Sequence, residues 1–146
     1  MEDEDVKGKL AYESFPERSW EEIDKSLHLL RDVKYKFTRC AEECYSQGPE
    51  NLSIWENVRN SCVQTCQNAH DSIFSVFTSN FSPNRDTCLH CALDCGTEYP
   101  ISKYGEEDLR ICEEKCYEKF YKDMVEMNQA LENKYQSVYL QKYKHY

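Results

Sequence analysis

Eight of the nine cysteines in this 146-residue chain fall into four C-x-x-x-C pairs: Cys40/Cys44, Cys62/Cys66, Cys91/Cys95 and Cys112/Cys116. Thiols at that density either oxidise into a disulfide framework or hold metal as thiolates. The spacing bears on the choice. Positions i and i+4 of a helix share a face, which stacks two sulfurs about 6 Å apart along the axis. Facing residues of an antiparallel hairpin have numbers with a constant sum. Cys40 and Cys66 add to 106, as do Cys44 and Cys62, while Cys91 with Cys116 and Cys95 with Cys112 both give 207. Four nested disulfides can therefore close together. The crossed pairing would stretch one bond over two helical turns, beyond the Cα separation of about 4.4 to 6.8 Å that a disulfide accepts. Zinc held by four thiolates per hairpin is the competing chemistry, but structural zinc sites favour C-x-x-C, where a tight turn wraps the metal. No metal and no cofactor is expected.

Cys88 is the ninth cysteine, and by the same sum it faces Lys119 and not a thiol. It is expected to be a partly buried free thiol. Cys88-Leu89-His90-Cys91 has the form of a C-x-x-C redox motif, yet no strand precedes it and Cys91 already has a partner. His28, His70, His90 and His145 are scattered, and none accompanies a nucleophile or a metal triad. The carboxylates follow helix-face spacing, and there is no glycine-rich phosphate loop. The chain does not read as an enzyme.

The elements that must carry the cysteines are helical throughout. Residues 1–18 form an acidic tail ending at Phe15-Pro16, and Ser19 with Glu22 has the pattern of a capping box. Trp20, Ile23, Leu27, Leu30, Val33, Phe37, Cys40 and Cys44 then recur at spacings of three and four. Gln47-Gly48-Pro49-Glu50 ends this helix and starts the next, whose face carries Leu52, Trp55, Val58, Cys62, Cys66, Ala69, Ile73 and Val76. Ser82-Pro83 should interrupt it. A shorter helix runs to Gly96, and a last one from about Glu106 shows Leu109, Cys112, Cys116, Phe120, Met124, Met127, Leu131, Tyr135 and Val138 on one face. The expected fold class is all-α: two tandem disulfide-stapled antiparallel hairpins, four helices in all, over 19–82 and 83–123, with a Tyr-rich C-terminal extension over 124–146.

That extension overhangs its hairpin by about 28 Å at roughly 1.5 Å per residue. It either folds back across the first hairpin as in a four-helix domain or docks a partner through Met127, Leu131, Tyr135, Val138, Tyr139 and Tyr143.

The net charge of -9 speaks against nucleic acid as the main partner. Residues 1–24 carry nine acidic and three basic side chains, whereas 119–146 carry three acidic and five basic. Solvated termini explain this. The alternative is that Lys119, Lys122, Lys134, Lys142 and Lys144 make peripheral contact with lipid headgroups or an acidic partner. No segment has the roughly 20 apolar residues of a membrane span, and neither a secretory signal nor an Arg-rich transit peptide is evident. An oxidisable framework without such a signal is at odds with the reducing cytosol.

Two consecutive twin C-x-x-x-C motifs, the first of them Arg39-Cys40-Ala41-Glu42-Glu43-Cys44, resemble those of the mitochondrial proteins named "family with sequence similarity 136". More distantly the chain is similar to the small Tim chaperones, which have one twin motif each. The likeness covers about residues 20 to 125. It implies a location in the mitochondrial intermembrane space, import without a cleaved presequence, folding by a disulfide-relay oxidoreductase and no catalytic residues. The expected role is that of an accessory, structural subunit of a respiratory-chain assembly of the inner membrane, bound to other protein subunits. The alternative is a chaperone or assembly factor of the small Tim type.

Overall fold

The computed structural model describes residues 15–46 and 53–140, and these are almost wholly helical. Helix α1 spans Glu17–Ser46, α2 Ser53–Glu98, α3 Ile101–Tyr104 and α4 Glu106–Tyr135, after which a π-helical turn covers Gln136–Leu140. No strand occurs among the described residues. The fold is all-α with disulfide-stapled hairpins, as the cysteine spacing predicts. The first interhelical turn, at 47–50, lies outside the described residues.

Three boundaries differ from the sequence reading. Helix α1 starts at Glu17, on Pro16, whose carbonyl accepts from the Ser19 backbone N–H at 2.9 Å. A proline suits a helix start, because its φ is preset and its missing N–H is not needed there. Ser19 is therefore inside the helix. It is fully buried with an unpartnered hydroxyl, and the capping box does not form.

Pro83 does not break the chain into two helices: α2 runs through it for 46 residues. Proline gives up one backbone hydrogen bond and crowds the preceding turn. The apolar positions on both sides hold the segment helical nonetheless, with Ile73 wholly buried ahead of Pro83 and Cys88 and Cys95 buried behind it. Gly96 likewise sits inside α2, which ends at Glu98 because the residue before Pro100 is pushed out of helical geometry. Gly105, with φ of 83°, makes the turn into α4. A side chain there would be strained.

The chain divides into two compact units. Among the described residues, the first-hairpin unit comprises 25–46, 53–78 and 129–140, and the second-hairpin unit 15–24 and 79–128. Each thus holds segments of α1, α2 and α4, and the second-hairpin unit also holds α3. The start of α1 belongs with the second hairpin, and the end of α4 with the first.

In the second-hairpin unit the core holds Ile23, Phe120, Met124 and Met127 together with three cysteines. Phe15, at the end of the expected tail, is buried and stacks on Phe120 at 4.8 Å between centroids, with Tyr117 edge-on at 5.8 Å. Asn128 fastens α1 to α4. Its Nδ2 donates to the Glu22 carbonyl at 2.8 Å and to the Glu22 carboxylate at 2.7 Å. A buried carboxylate needs such donors. In the first-hairpin unit Leu30, Val33, Ile73 and Leu131 form the apolar centre. Tyr135 donates its hydroxyl to Asp32, and Lys36 lies 3.7 Å from the same carboxylate.

Candidate functional site: the paired cysteines

All four predicted disulfides are formed. In the first hairpin Cys40 bonds Cys66 and Cys44 bonds Cys62, with Cα atoms 5.9 and 5.7 Å apart. In the second, Cys91 bonds Cys116 and Cys95 bonds Cys112, at 5.8 and 5.7 Å. These separations lie within the range that an unstrained bond needs. The helical stacking that the spacing requires also brings the two bonds of a hairpin close. Cys44 Sγ is 3.7 Å from Cys66 Sγ, and Cys95 Sγ is 3.7 Å from Cys116 Sγ. These sulfurs carry no proton, so the approaches are sulfur–sulfur contacts.

Three sulfurs in each hairpin lie within 4.8 Å of one another: Cys40, Cys44 and Cys66 in one, Cys91, Cys95 and Cys116 in the other. Zinc is ligated by thiolates, and a sulfur bonded to another sulfur is not one. Cys62 and Cys112 stand outside these triads. The oxidised geometry is that of a staple.

Cys88 is the free cysteine and is only 3% exposed, more deeply buried than expected. Its S–H donates to the Cys116 carbonyl at 3.7 Å. Burial pushes its pKa up to about 11; the nearby Asp123 carboxylate adds to the rise and Lys119 opposes it. The facing position computed from the sequence is thereby occupied as foreseen, since Lys119 and Asp123 line the same cavity of about 410 Å³ as Cys88. With the thiolate so disfavoured, Cys88 cannot readily attack the adjacent disulfides.

The docking reading of the last helix needs correction. Met127 and Leu131 are buried in the chain, at 3% and 0% exposure, and cannot face a partner. Tyr135 is tied to Asp32, and its ring and that of Tyr139 both lie 5.8 Å from the Lys36 ammonium. Val138 and Tyr139 are half-buried against a cavity of the first-hairpin unit. The stripe packs inward because its apolar area is better removed from water by its own chain. Tyr143, with Lys142, Lys144 and His145, falls outside the described residues.

Leu93 near the end of α2, Ile101 and Tyr104 in α3 and Ile111 near the start of α4 are among the exposed apolar side chains. Among the histidines, His70 stacks on Phe74 at 4.1 Å and meets the Asp71 carboxylate at 3.0 Å. Hydrogen bonds from His70 and then Gln67 hold the Asp71 carboxyl below its usual range. This cluster includes no serine or cysteine nucleophile.

Sequence reasoning did not find Asn128, the amide that fastens α1 to α4. Asn128 had a signal, being a lone amide between Met124, Met127 and Leu131 on an apolar stripe. No helix among the described residues is long and apolar enough to cross a membrane. No family model, no curated protein and no solved structure matches the chain.

Proposed function

We propose that this protein is a non-catalytic accessory subunit of a respiratory-chain assembly of the mitochondrial inner membrane, facing the intermembrane space. The observation that carries the reading is the closure of all four C-x-x-x-C pairs into nested disulfides on helical hairpins. Such pairs suit a relay that oxidises incoming thiols two at a time, and a compartment where the bonds persist. The resemblance to twin C-x-x-x-C mitochondrial proteins points the same way. Exposed Leu93, Ile101, Tyr104 and Ile111 supply the kind of apolar and aromatic side chains that a subunit contact uses.

Two measurements test this. Protease treatment of intact mitochondria should spare the protein, and rupture of the outer membrane alone should expose it. Native purification should then recover it with a fixed set of inner-membrane proteins. Recovery in a reducing compartment, or with a shifting set of unfolded clients, contradicts the proposal.

A further inference from the structure

The cations of this acidic chain are not all placed alike. On α4, Arg110 pairs with Glu107 and Glu114, Lys122 lies 3.6 Å from Glu118, and Lys119 lies 3.9 Å from Asp123. Two of the lysines that offered a lipid contact by sequence are thus already held by carboxylates. In the first-hairpin unit α1 differs. Arg31, Lys34 and Arg39 are exposed and form no ion pair among the described residues. Arg39 instead sets its guanidinium carbon 5.8 Å over the Tyr35 ring.

The cause lies in the sequence. From residue 25 to residue 41 the one carboxylate is Asp32, and Lys36 and the Tyr135 hydroxyl engage it. No acidic residue stands three or four positions from Arg31 or Lys34, and these two cations are three apart. Like charges at that spacing weigh against a helix, a cost that a counter-charge from outside removes. The three cations also share a face. Helical spacing puts Leu27, Arg31 and Lys34 on one row and Arg31, Tyr35 and Arg39 on the next, turned away from the buried Leu30 and Val33. Leu27 is 39% and Tyr35 60% exposed, so apolar and aromatic surface lies between the charges. From Leu27 to Arg39 the face runs about 18 Å at roughly 1.5 Å per residue.

We propose that this face of α1 rests on an anionic lipid surface, with Arg31, Lys34 and Arg39 at headgroup phosphates and Leu27 and Tyr35 at the boundary with the acyl chains. Basic residues beside a leucine and an aromatic are the composition of helices that lie in the interfacial plane. The net charge of -9 does not prevent this, because charges farther from the membrane than a Debye length, about 8 to 10 Å, are screened from it. Lipid fits better than an acidic protein. Headgroups move sideways to meet cations at 31, 34 and 39, whereas a folded partner needs carboxylates set in that register. The inference stands independently of the cellular role proposed above.

Cosedimentation of the oxidised full chain with vesicles is the test. Binding should appear on phosphatidylcholine mixed with phosphatidylglycerol, be absent on phosphatidylcholine alone, and fall as salt rises. Arg31→Gln, Lys34→Gln and Arg39→Gln should each weaken partition about fivefold, and together about a hundredfold, the ordinary worth of one such cation apiece. Glutamine is a good helix former, so the far-UV circular dichroism should stay the same. Lys119→Gln with Lys122→Gln removes two cations that already face carboxylates and should leave partition within about twofold of the parent. Leu27→Gln with Tyr35→Gln should weaken it at constant charge. Four results overturn the proposal: equal binding to uncharged vesicles, a triple variant that binds like the parent, an α4 control that loses as much as the triple variant, or retention by polyglutamate and not by anionic vesicles.

Discussion

Removing the outer disulfide of the first hairpin, by Cys40→Ala with Cys66→Ala, should lower stability by less than its loop length suggests. Cys40–Cys66 spans 26 residues, and the chain-entropy relation values a lone loop of that size at about 3.5 kcal/mol. Cys44–Cys62 already closes 18 of them. The outer bond then constrains only the 8 that remain, 26 less 18, and is worth about 2.5 kcal/mol. At roughly 2.1 cal/mol/K of unfolding entropy per residue, this is a fall of about 8 °C in melting temperature. Replacing all four cysteines should cost about 6 kcal/mol, the sum of an inner bond near 3.2 and the outer increment. The second hairpin supplies a control. Its bonds span 25 and 17 residues, leaving the same difference of 8, so Cys91→Ala with Cys116→Ala should match the first-hairpin variant within a few tenths of a kcal/mol. Scanning calorimetry without reductant measures all three variants. The nested-loop reasoning is refuted if the outer pair's removal costs as much as removal of both bonds, or leaves the melting temperature unchanged.

Other consequences follow from particular side chains. With its pKa near 11, Cys88 should react with maleimide at least about a hundredfold more slowly than an ordinary cysteine in the native protein, and at a normal rate once unfolded. Because the raised pKa belongs to the folded state, its stabilising contribution is complete below about pH 9 and is lost as pH rises through 11. Chemical denaturation of the native chain and Cys88→Ser across that window should show the steeper decline in the native chain. Asn128→Ala should cost about 1 to 3 kcal/mol in urea unfolding by removing two hydrogen bonds to Glu22, and Asn128→Asp more, since it sets two carboxylates together. Met124→Ala should cost about 2 to 5 kcal/mol by the same assay, because Met124 is fully buried.

The paired cysteines were the most legible part of the molecule, because helix geometry and residue number together determine which sulfurs can meet. The helical faces were legible for a related reason: Ile23, Leu30, Val33 and Ile73 occur at helical spacing and are buried. Leu27, Trp55 and Val58 share those stripes yet are exposed, since periodicity tells which way a side chain points and not whether anything covers it. The continuity of α2 through Pro83 was hidden. A local breaker signal weighs against packing on both sides, and only the packing is non-local. The destination of the α4 stripe was hidden similarly. Sequence showed that Met127 and Leu131 must be covered, while the covering surface depends on tertiary contacts of α1 and α2. Tyr139 and its cavity rest on a π-helical turn for which the residues carry no recognisable signature.

The central claim is that oxidation in one particular pattern builds this fold. Peptide mapping of the unreduced protein by mass spectrometry tests it most directly. The expected result is four cross-linked peptide pairs, Cys40 with Cys66, Cys44 with Cys62, Cys91 with Cys116 and Cys95 with Cys112, and Cys88 recovered as a thiol. A bond joining the two hairpins, a bond to Cys88, or eight free thiols with bound zinc would contradict the account.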